Sequence, residues 1–458
     1  MNANDISGIT ERQRALFAAG TTLERDYRDS ALGALYRSIK SHEKDIAAAL
    51  RSDLGKSEAE SYMCETGMVL SSISYLRRNL SRLMRPRRTR TGMAQFPAHG
   101  ELRYVPYGTA LIIAPWNYPI LLSLEPLADA IAAGNTVVLK PSATAPATAE
   151  VVAGIVRECF TEDYVCVVTG GREENADLLS MRWDKIFFTG SAATGKAVMR
   201  AASEHLTSVT LELGGKSPVI VDSTADIALT AKRLTYGKLL NCGQTCVAPD
   251  YVLCDERVHD ELVAALRREM AAQVPDALHD PTYGRMASAR HFERVRALID
   301  PAKLVYGGGC DADTLKIEPT ILDGVSPDDA VMGEEIFGPV LPVLTYGSLE
   351  EAVAFVESRP RPLALYLFTS SRENKRYVLS RCRFGGGCVN DCIMHLTTHS
   401  LPFGGMGASG TGAYHGRWGF EAFSHLEGIL HRGTACDPAL RYRPFTEKKL
   451  SMIRRVMR

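Results

Sequence analysis

The chain has 458 residues, long enough for about three structural units and a large core. Lysine plus arginine equal aspartate plus glutamate at 53 each, and 45% of residues are hydrophobic, so charge offers no case for a nucleic-acid partner. The eleven cysteines are odd in number and scattered, which reads as free thiols in a reducing cytosol.

Residues 1 to about 84 read as helices, with caps and apolar spacing in TTLERDYRDSALGALYRSIKSHEKDIAAALRSDLG. The start, MNANDISGITERQR, has no apolar run behind a basic end, so no secretory signal is expected. RPRRTRTG, 85–92, is expected to be a solvated connector. Tyr104 to Leu124 carries no charge and is long enough to span a bilayer, but Pro106, Pro115 and Pro119 would leave backbone groups unsatisfied in lipid.

From about residue 108 strands alternate with helices. GTALIIA, NTVVLKPS, YVCVVTGG, WDKIFFTG and TSVTLELGG read as strands, which predicts a mostly parallel sheet covered on both faces. Ligands then sit beyond the strand carboxyl ends, here APWNYP, KPSA, TGGRE, FTGSAATG and ELGGK. A second series follows Gly215: KSPVIVD, helices to about 272, KLVYGGG, EPTILDG, VLPVLTYG and LALYLFTS. The chain then turns glycine-rich and ends in a basic tail.

FTGSAATGKAV puts Gly190 and Gly195 in a strand-to-helix turn suited to a phosphate. It nearly matches an NTPase loop, but Ala197 stands where a Ser or Thr would hold magnesium, which argues against phosphoryl transfer. A turn serving chain geometry alone is the plainer account. Lys140, in KPS, leaves a strand at the same sheet edge, where its ammonium can reach a ribose or phosphate.

LLNCGQTCVAPD, 239–250, holds two cysteines four apart. Neither has partners at zinc-ligand spacing, and a disulfide would need an oxidising setting. Either thiol can in principle react. GQT reads as a loop opening to a helix, whose dipole would lower the Cys246 pKa, whereas Cys242 sits where a small buried hydrophobe is commoner. In TSVTLELGG, Glu212 faces away from Leu211 and Leu213 at a strand end, as a candidate base or a surface carboxylate. Asn117, between two prolines, is either an amide donor for a developing oxyanion or the closure of an Asx turn.

Together, PWNYP, KPS, FTGS, ELGGKSP, GQTCVAPDYVL, EEIFGPV and LPFGGMGASGTGAYHG resemble the NAD(P)-dependent aldehyde dehydrogenase superfamily from about residue 10 to 450. HSLPFGG and GAYHG look most like its class 3 branch. The resemblance implies an α/β, aldehyde dehydrogenase-like fold: a Rossmann-type cofactor domain (1–84 and 104–208), an α/β catalytic domain (209–390), a small β oligomerisation extension (85–103 and 391–430) and a tail (431–458). It makes Cys246 the nucleophile, Glu212 the general base and Asn117, with the Cys246 amide, the oxyanion donor. Lys140, Gly190, Ser191, Gly195, Glu335 and Phe337 would bind NAD or NADP, with no metal. It further implies a cytoplasmic homodimer oxidising medium-chain aliphatic or aromatic aldehydes, with Tyr62, Tyr236 and the segment His395 to His399 along the tunnel. Ala143 replaces an acidic residue common in relatives, so NADP is expected to be accepted. Cys242, where a small polar residue is frequent, suggests sensitivity to oxidation. A coenzyme-A-acylating enzyme and a catalytically silent relative are the rival readings.

Overall fold

The computed structural model describes residues 3–457. The predicted N-terminal helices are present as Ala3–Ala18, Arg25–Ser41, Glu43–Leu54 and Gly67–Met84. Glu43–Leu54 stops at Gly55, whose φ of 70° is the left-handed cap that a residue without Cβ adopts freely.

The five expected strands form one parallel sheet: Thr109–Ile113, Thr136–Lys140, Val165–Val167, Lys185–Thr189 and Ser208–Glu212. In space the first strand is central, with the second and third on one side and the fourth and fifth on the other. The order therefore reverses between Thr109–Ile113 and Lys185–Thr189, and the crevice at that switch point opens above Pro115 to Asn117 and Gly190 to Ser191. These core strands read as unbroken apolar runs because helices cover both sheet faces.

A second sheet of seven strands follows, in the order 304–306, 320–322, 340–346, 251–255, 218–221, 364–368 and 386–389. All neighbours are parallel except the first pair. Two of these strands were not expected. Tyr251–Asp255 is the central strand, placed by sequence within a helical stretch; all five residues, Tyr-Val-Leu-Cys-Asp, are buried, which leaves no two-residue alternation to reveal it. Gly386–Val389 is hidden in GGGCVN, where glycines permit close approach: a Cβ on Gly387 would lie 2.0 Å from the Leu365 carbonyl oxygen.

A third, antiparallel sheet joins Arg87–Thr89, Ala98–Pro106 and Ser424–Arg432. The arginine-rich connector is thus partly an exposed edge strand. The long strand runs past residue 103, and its partner past residue 430. The glycine-rich return belongs elsewhere, since Gly410–Thr411 pairs antiparallel with Glu212 and Leu211 and extends the first sheet. Among the described residues no helix is long and apolar enough to cross a membrane.

Candidate active site

Three strand ends and two loops converge at the switch-point crevice. A cleft of roughly 1140 Å³ is lined by Trp116, Asn117, Gly190, Ser191, Glu212, Cys246, Glu335 and Phe337, among others. A second, apolar chamber of about 790 Å³, walled by Met63, Met68, Leu240, Ile393 and Phe403, reaches Cys246 from the other side. Cys246 and Leu122 line both.

Cys246 owes its position to backbone geometry just before it. Asn241, Cys242 and Gly243 have φ of 51°, 54° and 73°, three consecutive left-handed residues. Such strain costs of order 1–3 kcal/mol per non-glycine residue and persists only where surroundings enforce it. Here Asn241 Nδ2 donates to the carbonyls of Asn117 (2.7 Å) and Gln244 (3.1 Å). The Gln244 side chain donates to the carbonyls of Asn241 and Arg285, at 3.0 Å each, and accepts from the Ala287 amide at 2.9 Å. Gly243 has no substitute, since a Cβ there would lie 2.3 Å from the Gly338 carbonyl oxygen.

The helix expected after GQT is absent. Cys246 lies in a turn that Pro249 carries into strand Tyr251–Asp255, so no helix dipole acts on its sulfur. Burial, followed by the charges of Glu335 and Glu212, pushes its thiol well above the ordinary range; its own amide and that of Val247 oppose this more weakly. The resting site holds a thiol. Cys242 differs in kind: it is buried against Ala277 and Tyr283, with its pKa pushed up to about 12 by desolvation. Cys246 is protonated too, so access is what separates them, and the expected sensitivity to oxidation does not fit a sulfur as occluded as Cys242.

Glu212 ends its strand buried, and neither carboxylate oxygen has a hydrogen-bond partner. Burial raises its pKa well above the usual carboxylate value. A buried acid without a partner at the floor of a cleft is costly to keep and suited to taking a proton. Asn117 is buried, and its Nδ2 donates to the Gln244 carbonyl at 3.0 Å, which fixes the amide and leaves its second hydrogen for the cleft.

On the far side of the cleft, EEIFGPV is clamped from behind. Asp250 accepts from the Ile336 amide at 2.9 Å, and Arg294 donates to the carbonyls of Glu335 (3.1 Å) and Ile336 (2.6 Å). The Glu335 carboxylate lies over Gly214, where a Cβ would come within 2.0 Å of Oε2; burial lifts its pKa to about 8, and Oε1 has no partner. Phe337 meets Trp116 edge-on, centroids 5.4 Å apart, and His291 packs on Trp116 at 4.7 Å. Ser191 caps helix Ala192–Ser203 at the rim, accepting from the Thr194 amide.

Two expected cofactor residues lie outside this lining. Lys140 is buried beneath the crevice and donates to the carbonyls of Pro141 (2.9 Å) and Gly170 (2.7 Å). Gly195 serves helix-to-strand packing, since a Cβ would meet Leu213 at 2.7 Å. On the apolar side Tyr236 lines the chamber, while Tyr62 and His399 line an outer pocket beside it. His395 stands behind the wall, against Cys388. Among the described residues no three His, Cys, Asp or Glu side chains converge as a metal site.

Sequence reading missed His291, Arg294 and the Asn241–Gln244 network, and also Lys56 and Glu65. Only the Asn-Cys-Gly run carried a signal, because asparagine and glycine together favour left-handed backbone.

The aldehyde dehydrogenase family model matches residues 1–429. The chain belongs to that family. It is 45% identical over 440 residues to the 4,4'-diaponeurosporen-aldehyde dehydrogenase of Staphylococcus aureus, covering 95% of each chain. To the dimeric, NADP-preferring aldehyde dehydrogenase of the dog it is 42% identical over 443 residues, 96% of this chain and 97% of that one. A substrate-bound structure of Staphylococcus aureus AldH superposes with a TM-score of 0.96 at 43% identity, covering 99% of both chains. Family 3 members from plants and mammals are also among its relatives, in line with the class 3 resemblance. This aldehyde dehydrogenase uses NAD(P) to oxidise an aldehyde to a carboxylic acid, and the two clefts meeting at one thiol suit that chemistry.

Proposed function

We propose that Cys246 is the nucleophile, Asn117 with the Cys246 amide the oxyanion donor, and Glu212 the general base. The observation that carries this reading is the junction itself: one thiol reached by an apolar chamber from one side and a polar, glycine-floored cleft from the other. The sulfur adds to the aldehyde carbon as its proton passes to water in the open cleft, and the new oxyanion accepts hydrogen bonds from the free N–H of Asn117 Nδ2 and from the Cys246 amide. NAD(P), when bound, accepts the two electrons and hydrogen that leave the thiohemiacetal. Glu212 then takes a proton from the water that attacks the thioester, releasing the acid and restoring the thiol. An unpartnered carboxylate inside the cleft favours water over a thiol acceptor such as coenzyme A.

The residues fit a dinucleotide. Ser191 and the helix start at Ala192 offer amides to a phosphate beside Gly190, whose own amide is held by the Glu212 carbonyl at 2.9 Å; Glu335 and Phe337 offer a carboxylate and ring for the nicotinamide ribose and base, and Lys140 its third N–H toward the adenosine ribose. Gly195, where a Cβ would meet Leu213 at 2.7 Å, keeps the start of that helix close to the sheet, beside the dinucleotide. We assign residues 1–84 and 104–208 to the cofactor domain, 209–390 to the catalytic domain, and the three-stranded sheet to contacts within a cytoplasmic homodimer.

The chamber's apolar wall suits medium-chain aliphatic and aromatic aldehydes. With a panel from two to twelve carbons plus benzaldehyde, kcat/KM is expected to rise to a maximum in mid-range; a maximum at acetaldehyde would overturn this. Ala143 is exposed beside KPS and repels no 2′-phosphate. Ala143→Glu is expected to lower the NADP to NAD ratio of kcat/KM at least about tenfold, equivalent to roughly 1.4 kcal/mol. An unchanged ratio would remove Ala143 from cofactor choice.

A further inference from the structure

Residues 56–65 lie far in sequence from both loops of the site, yet they touch each of them. Lys56 and Glu65 are fully buried and paired at 2.5 Å. Lys56 Nζ also donates to the Asn117 carbonyl at 3.0 Å and lies 4.1 Å from the centre of the Tyr118 ring. The second Glu65 oxygen accepts from the amides of Ile120 (2.8 Å) and Leu121 (3.2 Å), where helix Leu121–Ala133 begins. Thus the ammonium holds PWNYP at its middle, and the carboxylate holds it at its exit.

The same segment reaches the nucleophile loop. Glu60 Oε1 accepts from the Asn241 amide at 2.6 Å, and Asn241 Nδ2 returns to the Asn117 carbonyl that Lys56 also grips. Glu65 sits in a π-helical turn, Tyr62–Thr66, closed by Gly67, where a Cβ would lie 2.8 Å from the Tyr62 carbonyl oxygen. Single π turns inside α-helices recur at functional sites. A buried ion pair contributes little net stability, because desolvation offsets the attraction, yet removing one partner strands the other. Stability alone is therefore a poor account of two charges spent on one loop.

We propose that Lys56 and Glu65 are positioning residues that set the Asn117 amide at the oxyanion position. This rests on the reading of Asn117 as oxyanion donor. Neither residue touches substrate; both act through the peptide that carries Asn117. A small displacement of a reacting group can cost about a hundredfold in rate, whereas substrate affinity in the apolar chamber depends on other side chains.

The test is a cycle of Glu65→Gln, Asn117→Ala and the double variant in the full-length enzyme, measuring the first-turnover rate of NADPH formation, aldehyde KM and melting temperature. Glutamine keeps an acceptor for the two amides but removes the charge that orders Lys56. Glu65→Gln is expected to lower the first-turnover rate at least about tenfold, with KM changed less than about twofold, and to add little further loss to Asn117→Ala. Full additivity of the two losses, or a loss confined to KM, overturns the proposal. An unimpaired Asn117→Ala overturns the oxyanion assignment itself, a separate failure. Should Glu65→Gln not fold, Lys56→Arg, which keeps the charge and moves the donor, enters the same cycle with the same criteria.

Discussion

Cys246→Ala is expected to eliminate aldehyde-dependent NAD(P) reduction, with kcat falling by about four orders of magnitude or more. No other described sulfur can substitute at the junction: Cys64 lines the chamber but not the dinucleotide cleft, and Cys242 is sealed behind the loop. Covalent addition also requires a group that is a strong nucleophile and a good leaving group from a thioester, which alanine cannot imitate. The measurement is absorbance at the reduced nicotinamide band with saturating aldehyde and NADP, alongside a melting curve. The cavity left by a partly exposed thiol is small, so the variant is expected to melt near the parent. Activity within tenfold of the parent would refute the covalent route. The same replacement at Cys242 is expected to act on the fold, since that position is buried and in left-handed backbone.

Glu212→Gln is expected to separate the two half-reactions. Addition and oxidation at Cys246 do not draw on the Glu212 proton acceptor, so one equivalent of reduced cofactor per chain appears rapidly. Hydrolysis then slows by about 10²–10⁴-fold, the usual worth of a positioned base. Intact-mass spectrometry during this burst is expected to show the acyl group on Cys246. Absence of both burst and adduct would remove Glu212 from deacylation. The pH profile follows from the raised pKa: only the ionised carboxylate can take a proton, so deacylation in the parent climbs as pH rises through a pKa well above 4.5. The glutamine variant has no such climb. Stability moves the opposite way. A folded-state pKa above the unfolded value means that the parent loses stability as pH rises from 4.5 through the folded pKa. An uncharged amide escapes that loss, and Glu212→Gln is expected to melt higher than the parent at pH 8.

Motifs that combine glycine, proline and one reactive residue made much of this enzyme legible before its structure. PWNYP, ELGGKSP and GQTCVAPD each place a polar group where special backbone is needed, and such needs restrict residue choice tightly enough to be read. The alternation of strands and helices from 108 to 212 was equally plain, because short, largely apolar runs of three to five residues are separated by helices of nine to fourteen. Tyr251–Asp255 escaped because a strand buried on both faces loses its two-residue rhythm. Lys56 and Glu65 escaped for another reason: their partners stand about sixty residues away, and a lysine in a helical region reads as surface charge. Lys140 and Gly195 belong to motifs that were legible, but the Lys140 hydrogen bond to the Gly170 carbonyl and the packing of Gly195 on Leu213 were not, because those partners lie on other turns of the chain. The thiol's environment was misjudged because a turn and a helix start look alike until Pro249 is seen feeding a strand.

The opposed openings onto Cys246 also govern traffic. Under the proposed assignment, fuel and oxidant arrive through different doors, so neither has to vacate its berth for the other to depart. A molecule built to fill both would carry its electrophilic atom at the junction itself, which gives inhibitor chemists a single anchor around which to design.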